Sequence, residues 1–223
     1  MIPSPPLNIW AHTRNSLFHL YQRRAAGEAE ELVCHAQAAE IYAPFYHYGQ
    51  TGLDAGGGSG HFDWSLIRRH LEVHYNHRDY TVDYLKIAAK ALASEKTPPT
   101  FIYNSIQQVS GCYQVVFCLN ALFCLPDYRQ GLEALLKAAE NLIILRTTLA
   151  DQGLIRFEND RYLDPGAENL KSYFNIWPIG EINNFVRDHG FQVSNPVDRR
   201  TGDVGEISAG KYFPWRWVVG IKK

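Results

Sequence analysis

The segment Leu53-Asp54-Ala55-Gly56-Gly57-Gly58-Ser59-Gly60-His61-Phe62 constrains the fold of this chain more than any other. A short apolar stretch ends in an acid, four glycines follow almost without interruption, and a helical pattern resumes over residues 62–71. Glycine is needed where the backbone turns sharply or lets a ligand approach with no Cβ in the way. A flexible turn without a ligand is the plain alternative. Either way the unit reads as strand, tight turn, helix.

The same alternation continues downstream. A strand is expected near 79–82, a helix over 84–94, strands over 100–103 and 114–119, a helix over 128–140 and an apolar strand over 142–145. Strands alternating with helices at this rhythm specify a largely parallel sheet with both faces covered. Right-handed crossovers then bring the C-terminal ends of the strands to one edge, where such sheets bind ligands.

Two stretches precede this pattern, 15–24 and 25–42, with apolar residues at helical spacing (Leu17, Leu20, Tyr21, then Leu32, His35, Ala36, Ala39). Residues 1–48 therefore read as a helical extension, and 49–223 as one compact unit. Residues 151–173 are polar and turn-rich, 180–189 form an amphipathic helix closed by Gly190, and 191–197 and 212–221 read as strands. No helix separates those two, so they are expected to pair antiparallel at one edge. The fold class is then α/β, Rossmann-like, with a mostly parallel seven-stranded sheet and an antiparallel last strand.

The glycine spacing sorts the possible ligands. A triphosphate loop needs Gly-x-x-x-x-Gly-Lys-Ser/Thr, and no lysine follows these glycines before Lys86. The dinucleotide fingerprint Gly-x-Gly-x-x-Gly fails in both frames, because it requires glycine where His61 or Asp63 stands. An NAD(P)-dependent reductase or epimerase is disfavoured for that reason. The spacing Asp-x-Gly-x-Gly-x-Gly does fit, with Asp54, Gly56, Gly58 and Gly60 in place.

At this point the sequence resembles the class I, Rossmann-like S-adenosylmethionine (SAM) dependent methyltransferases, over residues 39–149 and more loosely beyond. The resemblance implies that Asp54, Ala55, Gly56, Gly58 and Gly60 wrap the methionine part of SAM. It implies an acid at the end of the next strand to accept the ribose hydroxyls. Asp83 in Tyr80-Thr81-Val82-Asp83-Tyr84 is the candidate, and Tyr84 would pack on the adenine or in the core. Asn104 and Ser105 stand where the family contacts the adenine, with Asn replacing the usual acid; Gln114 also replaces an acid in the fourth strand. Asn120 would line the cleft below the reactive methyl. A fainter likeness, in residues 144–149 and 173–177, is to methyltransferases of bacterial surface-polysaccharide gene clusters and implies a sugar-linked acceptor.

The implied activity is methyl transfer from SAM to a hydroxyl, amine or carboxyl of a small molecule. A catalytically silent SAM-fold binding or partner subunit is the alternative from another class. His61 and His47 are the candidates for a general base, if the acceptor must lose a proton. Tyr42 and Tyr46 on one side, and Tyr173 and Trp177 on the other, are the candidates for lining an acceptor pocket. His70, His74 and His77 fall in a segment read as an exposed loop, so no metal site is expected.

Twenty-two basic residues against twenty-three acidic ones, net charge -1, give no footprint for nucleic acid. The absence of an 18-residue apolar run argues against membrane insertion. Four cysteines without a Cys-x-x-Cys pair read as reduced thiols in a cytoplasmic protein.

Overall fold

A computed structural model describes residues 8–95, 98–160, 163–167, 169–202 and 204–223. In chain order the elements are α1 (Asn15–Ala25), α2 (Val33–Tyr42), β1 (Thr51–Ala55), α3 (Asp63–Ile67), β2 (His74–Asp79), α4 (Val82–Ala91), β3 (Thr100–Tyr103), β4 (Tyr113–Leu119), α5 (Arg129–Ala138) and β5 (Ala139–Ala150). There follow β6 (Phe157–Asn159), β7 (Lys171–Tyr173), β8 (Trp177–Pro178), α6 (Ile179–Asp188), β9 (Phe191–Ser194), β10 (Glu206–Ser208), β11 (Lys211–Phe213) and β12 (Trp215–Lys222).

The main sheet has the order β3-β2-β1-β4-β5-β12-β9, with the short β8 added beside the end of β5. β1 to β5 pair in parallel, and β12 runs antiparallel to both β5 and β9. The last two strands of this sheet, β9 and β12, pair antiparallel at one edge as expected, with β9 outermost. β12 inserts between β5 and β9, where it gains two partners and buries Trp217 and Val218 completely.

β4 shows how the core divides. Val116 and Cys118 face one side, against Leu132 and Leu135 of α5 and Ile182 and Val186 of α6. Val115 and Phe117 face the other, against Ala38 and Tyr42 of α2 and Phe62 and Leu66 around α3. Successive strand residues point to opposite faces, so an unbroken apolar strand requires a cover on both. The extension before β1 provides part of one cover. Helix 25–42 is shorter than its periodicity suggests: Gly27 takes φ +72° and the chain becomes helical only at Val33.

The second strand also differs from expectation. It occupies His74–Asp79, not 79–82, and α4 begins already at Val82. The segment read as an exposed loop is thus the strand beside β1, in register Asp54↔His77, and His77 is fully buried. β1 is flanked by β2 on one side and β4 on the other, so the chain leaves it at the point where the strand order reverses. A crevice at the C-terminal edge belongs there. Among the described residues no helix is long and apolar enough to cross a membrane.

Candidate functional site

The glycine turn leaves β1 at that reversal. Gly56, Gly58 and Gly60 all take positive φ (75°, 58° and 76°), a conformation L side chains rarely adopt. Gly56, Gly57 and Gly60 are also crowded. A Cβ at Gly56 would stand 2.6 Å from the Ala121 Cβ, and one at Gly57 would stand 2.3 Å from Asp54 Oδ2. At Gly58 it would meet nothing within 4 Å, so the tip of the turn faces open space.

Two side chains at the end of β2 clamp that tip. The Gly58 N–H donates to Asp79 Oδ2 at 2.9 Å, and His77 Nε2 donates to the Gly58 carbonyl at 2.9 Å. Asp79, the last residue of β2, also accepts from the Thr81 N–H through Oδ1. Burial raises its carboxyl above the ordinary value, against the pull of these backbone hydrogen bonds. Asp54 lies beneath the turn, 3.6 Å from His77 Nδ1; burial pushes its carboxyl up to about 6, with the charge of His77 working the other way.

The remaining strand ends complete the edge. Asn104 and Ser105 follow β3, but the Asn104 carboxamide is engaged within its own loop: Oδ1 accepts from the Ser105 N–H and Nδ2 donates to the Gln108 carbonyl. Asn120 follows β4 with φ +60°; its Oδ1 accepts from Arg146 Nη1 and its Nδ2 points at Cys34 Sγ of α2, 3.9 Å away. Arg146 itself is 2% exposed, donates to Asp198 Oδ2 at 2.6 Å, and stacks 4.4 Å from the centre of the Trp215 ring.

The N-terminal helices cover the turn from outside. Tyr21 of α1 lies 5.7 Å from the His61 ring and 5.3 Å from that of Tyr84, and the Tyr84 hydroxyl donates to Thr13. His61 accepts or donates at Ser59 Oγ over 3.0 Å and sits 4.6 Å, centre to centre, from His35 at the start of α2. Burial, with the charge of Arg24 acting the same way, lowers the pKa of His61 to about 3, so its imidazole is neutral at pH 7.

Several sequence expectations are corrected by this geometry. Asp83 does not end a strand; it is an exposed residue in the first turn of α4, paired with Lys86 at 3.0 Å. Tyr42, Tyr46 and His47 lie at the opposite edge of the sheet. Tyr42 is fully buried against Phe117 and donates to Gln50 Oε1, just before β1 begins, while Tyr46 packs edge-on to it and His47 is exposed. α2 runs antiparallel to β1, so its start, not its end, reaches the ligand edge. Trp177 is buried in the core beside Tyr128 and donates to the Leu122 carbonyl, and Tyr173 stacks with Phe157 in the β6–β7 hairpin. Asn175 between them ties that loop to the end of β4, with Nδ2 on the Leu125 carbonyl.

The aromatic wall near this edge is instead Phe123, Phe174, Phe213 and Trp215. His35, His77, Asp79 and Arg146 were missed as site residues. Histidine, arginine and asparagine in β2 disguise a buried strand, and only the Asp-x-Thr after it signalled a strand end leading into a helix. Among the described residues no group of three His, Cys, Asp or Glu side chains is placed to hold a metal ion.

No protein-family model matches the sequence, and no curated protein matches it. Solved structures do. Magnesium protoporphyrin IX methyltransferase from Synechocystis PCC 6803, with bound SAM, superposes with a TM-score of 0.64 at 18% identity, covering 94% of this chain and 93% of that one. A SAM-dependent methyltransferase from Clostridium acetobutylicum gives 0.63 at 12% identity, covering 93% and 98%. The 1,6-didemethyltoxoflavin-N1-methyltransferase of Burkholderia thailandensis, solved with its acceptor and S-adenosylhomocysteine, gives 0.62 at 13% identity, covering 99% and 91%. The fold is that of the class I SAM-dependent methyltransferases.

Proposed function

We propose that this chain is a SAM-dependent methyltransferase that acts on a hydroxyl, amine or carboxyl of a small molecule. The observation that carries the reading is the clamp on Gly58: acids end both β1 and β2, and the second is hydrogen-bonded to the open tip of the glycine turn. Two of the solved neighbours named above, one bound to SAM and one to S-adenosylhomocysteine, support the same cofactor.

The residues present fit SAM. Gly56 to Gly60 provide a turn whose tip no Cβ blocks, and Asp54 beneath it sets a negative charge near a cationic ligand. Asp79 replaces Asp83 as the ribose acceptor, since each carboxylate oxygen keeps a lone pair beyond its backbone bond. Ser105 and Asn104 border the adenine side, Tyr84 closes it from α4, and Asn120 lies below the methyl. SAM supplies an activated methyl on sulfur, so the chain's task is to align the acceptor and exclude water. α1, lying on the glycine turn, serves the second purpose, so the helical extension ahead of β1 acts as a cover on the 49–223 unit. His61 stands at the exit of the turn, but a pKa of about 3 makes it a weak proton acceptor, so an acceptor that must lose a proton would need a stronger base.

A balanced charge and free cysteines support a small-molecule enzyme of the cytoplasm rather than a nucleic-acid binder. One observation favours the second reading, a silent SAM-fold subunit: both polar atoms of Asn104 are turned into their own loop. Calorimetry with SAM, S-adenosylhomocysteine and NAD(P)H tests the cofactor, with a dissociation constant near micromolar, about 8 kcal/mol, expected for the first two. Binding of NADH and of neither SAM nor its product would overturn the proposal. Binding without methyl transfer to any metabolite pool would leave the silent subunit. Turnover is expected to survive EDTA.

A further inference from the structure

We infer that the acceptor carries a negative charge, a carboxylate or a phosphate, received between Arg146 of β5 and Arg24 of α1 at the start of α2. This rests on reading the edge as a methyl-transfer site. Arg146 is buried, and although Nε and Nη1 are bonded to Asp198 and Asn120, its Nη2 has no hydrogen-bond partner. A buried guanidinium N–H without a partner is costly and rare, so such a group marks a place where a ligand acceptor belongs. Arg24 has the same feature: its Nε is buried and unpartnered.

Both cations stand close enough to His35 for their charges to act on it. Asn120 links Arg146 to Cys34, the second residue of α2, and His35 follows. A shallow cleft opens beside it, with Arg24, Leu32, His35, His61, Trp64 and Arg68 in its wall; Arg146 is not part of that wall and reaches α2 through Asn120. The N-terminus of α2, ten residues long, carries no side-chain cap; its His35 and Ala36 N–H groups donate to the Leu32 carbonyl, and its partial positive charge is left without a side-chain acceptor. His35 is well below its ordinary pKa through burial and through the charges of His61, Arg146 and Arg24. Of the nearby acids, Asp198 is bonded to Arg146 and Glu31 to Arg69, at 2.6 and 2.7 Å; Glu30 lies exposed at the rim. Two guanidiniums with idle buried N–H groups, two neutral imidazoles and a bare helix start are the complement of an anion.

The test titrates inorganic phosphate and malonate into the full chain, free and saturated with S-adenosylhomocysteine. Millimolar binding is expected in both states, with a rise in the His35 pKa by NMR. Arg24→Gln, at a half-buried position, should weaken anion binding at least fivefold while the affinity for S-adenosylhomocysteine changes less than twofold. Arg146→Lys keeps a charge for Asp198 but loses Nη2, and should weaken the anion similarly. Absence of anion binding to the loaded protein, or binding unaffected by Arg24→Gln, overturns the inference. So does mutual exclusion of phosphate and S-adenosylhomocysteine, because the cations would then serve the cofactor's own carboxylate. If S-adenosylhomocysteine fails to bind while Arg24-dependent anion binding persists, the methyl-transfer reading falls and the anion site stands.

Discussion

Asp54 and Asp79 are two carboxyls in one buried patch, and their environments separate their tasks. Asp79 keeps two backbone N–H donors, whereas Asp54 faces His77 and has its carboxyl raised from 3.8 to about 6 by burial. An acid with a raised folded-state pKa binds its proton more tightly folded than unfolded, so its contribution lowers stability as pH rises from about 4 to 6. The loss is on the order of 3 kcal/mol at most. Urea unfolding from pH 4 to 7 should show that decline, and Asp54→Asn should reduce it, with buried Asp79 and Asp63 acting in the same direction; an identical slope in the variant would place the titration elsewhere. For ligand affinity the contrast lies between Asp79 and Asp83. Asp79→Asn should weaken S-adenosylhomocysteine binding by about 1.5–3 kcal/mol, whereas Asp83→Ala, at an exposed residue paired with Lys86, should change it by less than about 0.5 kcal/mol. The sequence showed an acid between the second strand and its helix but not which one. His-Tyr-Asn-His-Arg has neither the alternation nor the apolar run by which strands are recognised; its polar side chains find tertiary partners such as the Tyr113 hydroxyl, which accepts from Arg78 Nη2.

At the scale of elements, the glycine turn separates stability from binding. Gly57→Ala would drive a methyl group into Asp54 and His77, both buried and held in place, so a loss of about 1–3 kcal/mol in folding stability is expected from thermal or urea unfolding. Gly58→Ala meets no neighbour and has only its φ of +58° to accommodate, at about 1 kcal/mol. Its methyl, however, projects where the ligand is proposed to lie. This variant should fold and lose most of its affinity for S-adenosylhomocysteine; retained affinity would move the ligand away from the tip. The turn, β3, β4, α5 and α6 were legible in the sequence because each depends on local chemistry, glycine for the turn and one period of apolar residues for the others. Which of β9 and β12 lies outermost was not, since a strand's place in a sheet is decided by which partners bury it, and Pro214 split its expected run into β11 and β12. Nor was the direction of α2 relative to the ligand edge, which turned Tyr42 from a pocket candidate into a core residue.

For the molecule as a whole, the question is what the first helices do once the sheet and its crevice exist. α1 touches the turn itself: Ser59 Oγ donates to the Tyr21 carbonyl, Phe18 stacks on Tyr84, and Asn8 ahead of it donates to the Tyr80 carbonyl beside Asp79. The groups proposed to hold the cofactor, Gly56 to Gly60 and Asp79, belong to loops anchored by β1 and β2 and remain when α1 is removed. The groups proposed to meet the acceptor do not, because Arg24 goes with the helix and water enters at His61. Deleting residues 1–24 should therefore reduce turnover far more than cofactor affinity. A drop of at least tenfold in kcat/KM is expected, beside less than a fivefold rise in the dissociation constant of S-adenosylhomocysteine, provided circular dichroism shows the sheet intact. A folded, truncated protein with full turnover would mean that the acceptor is enclosed by Phe123, Phe174, Phe213 and Trp215 alone, and that α1 only shields the aromatic faces of Tyr84 and His61 from solvent.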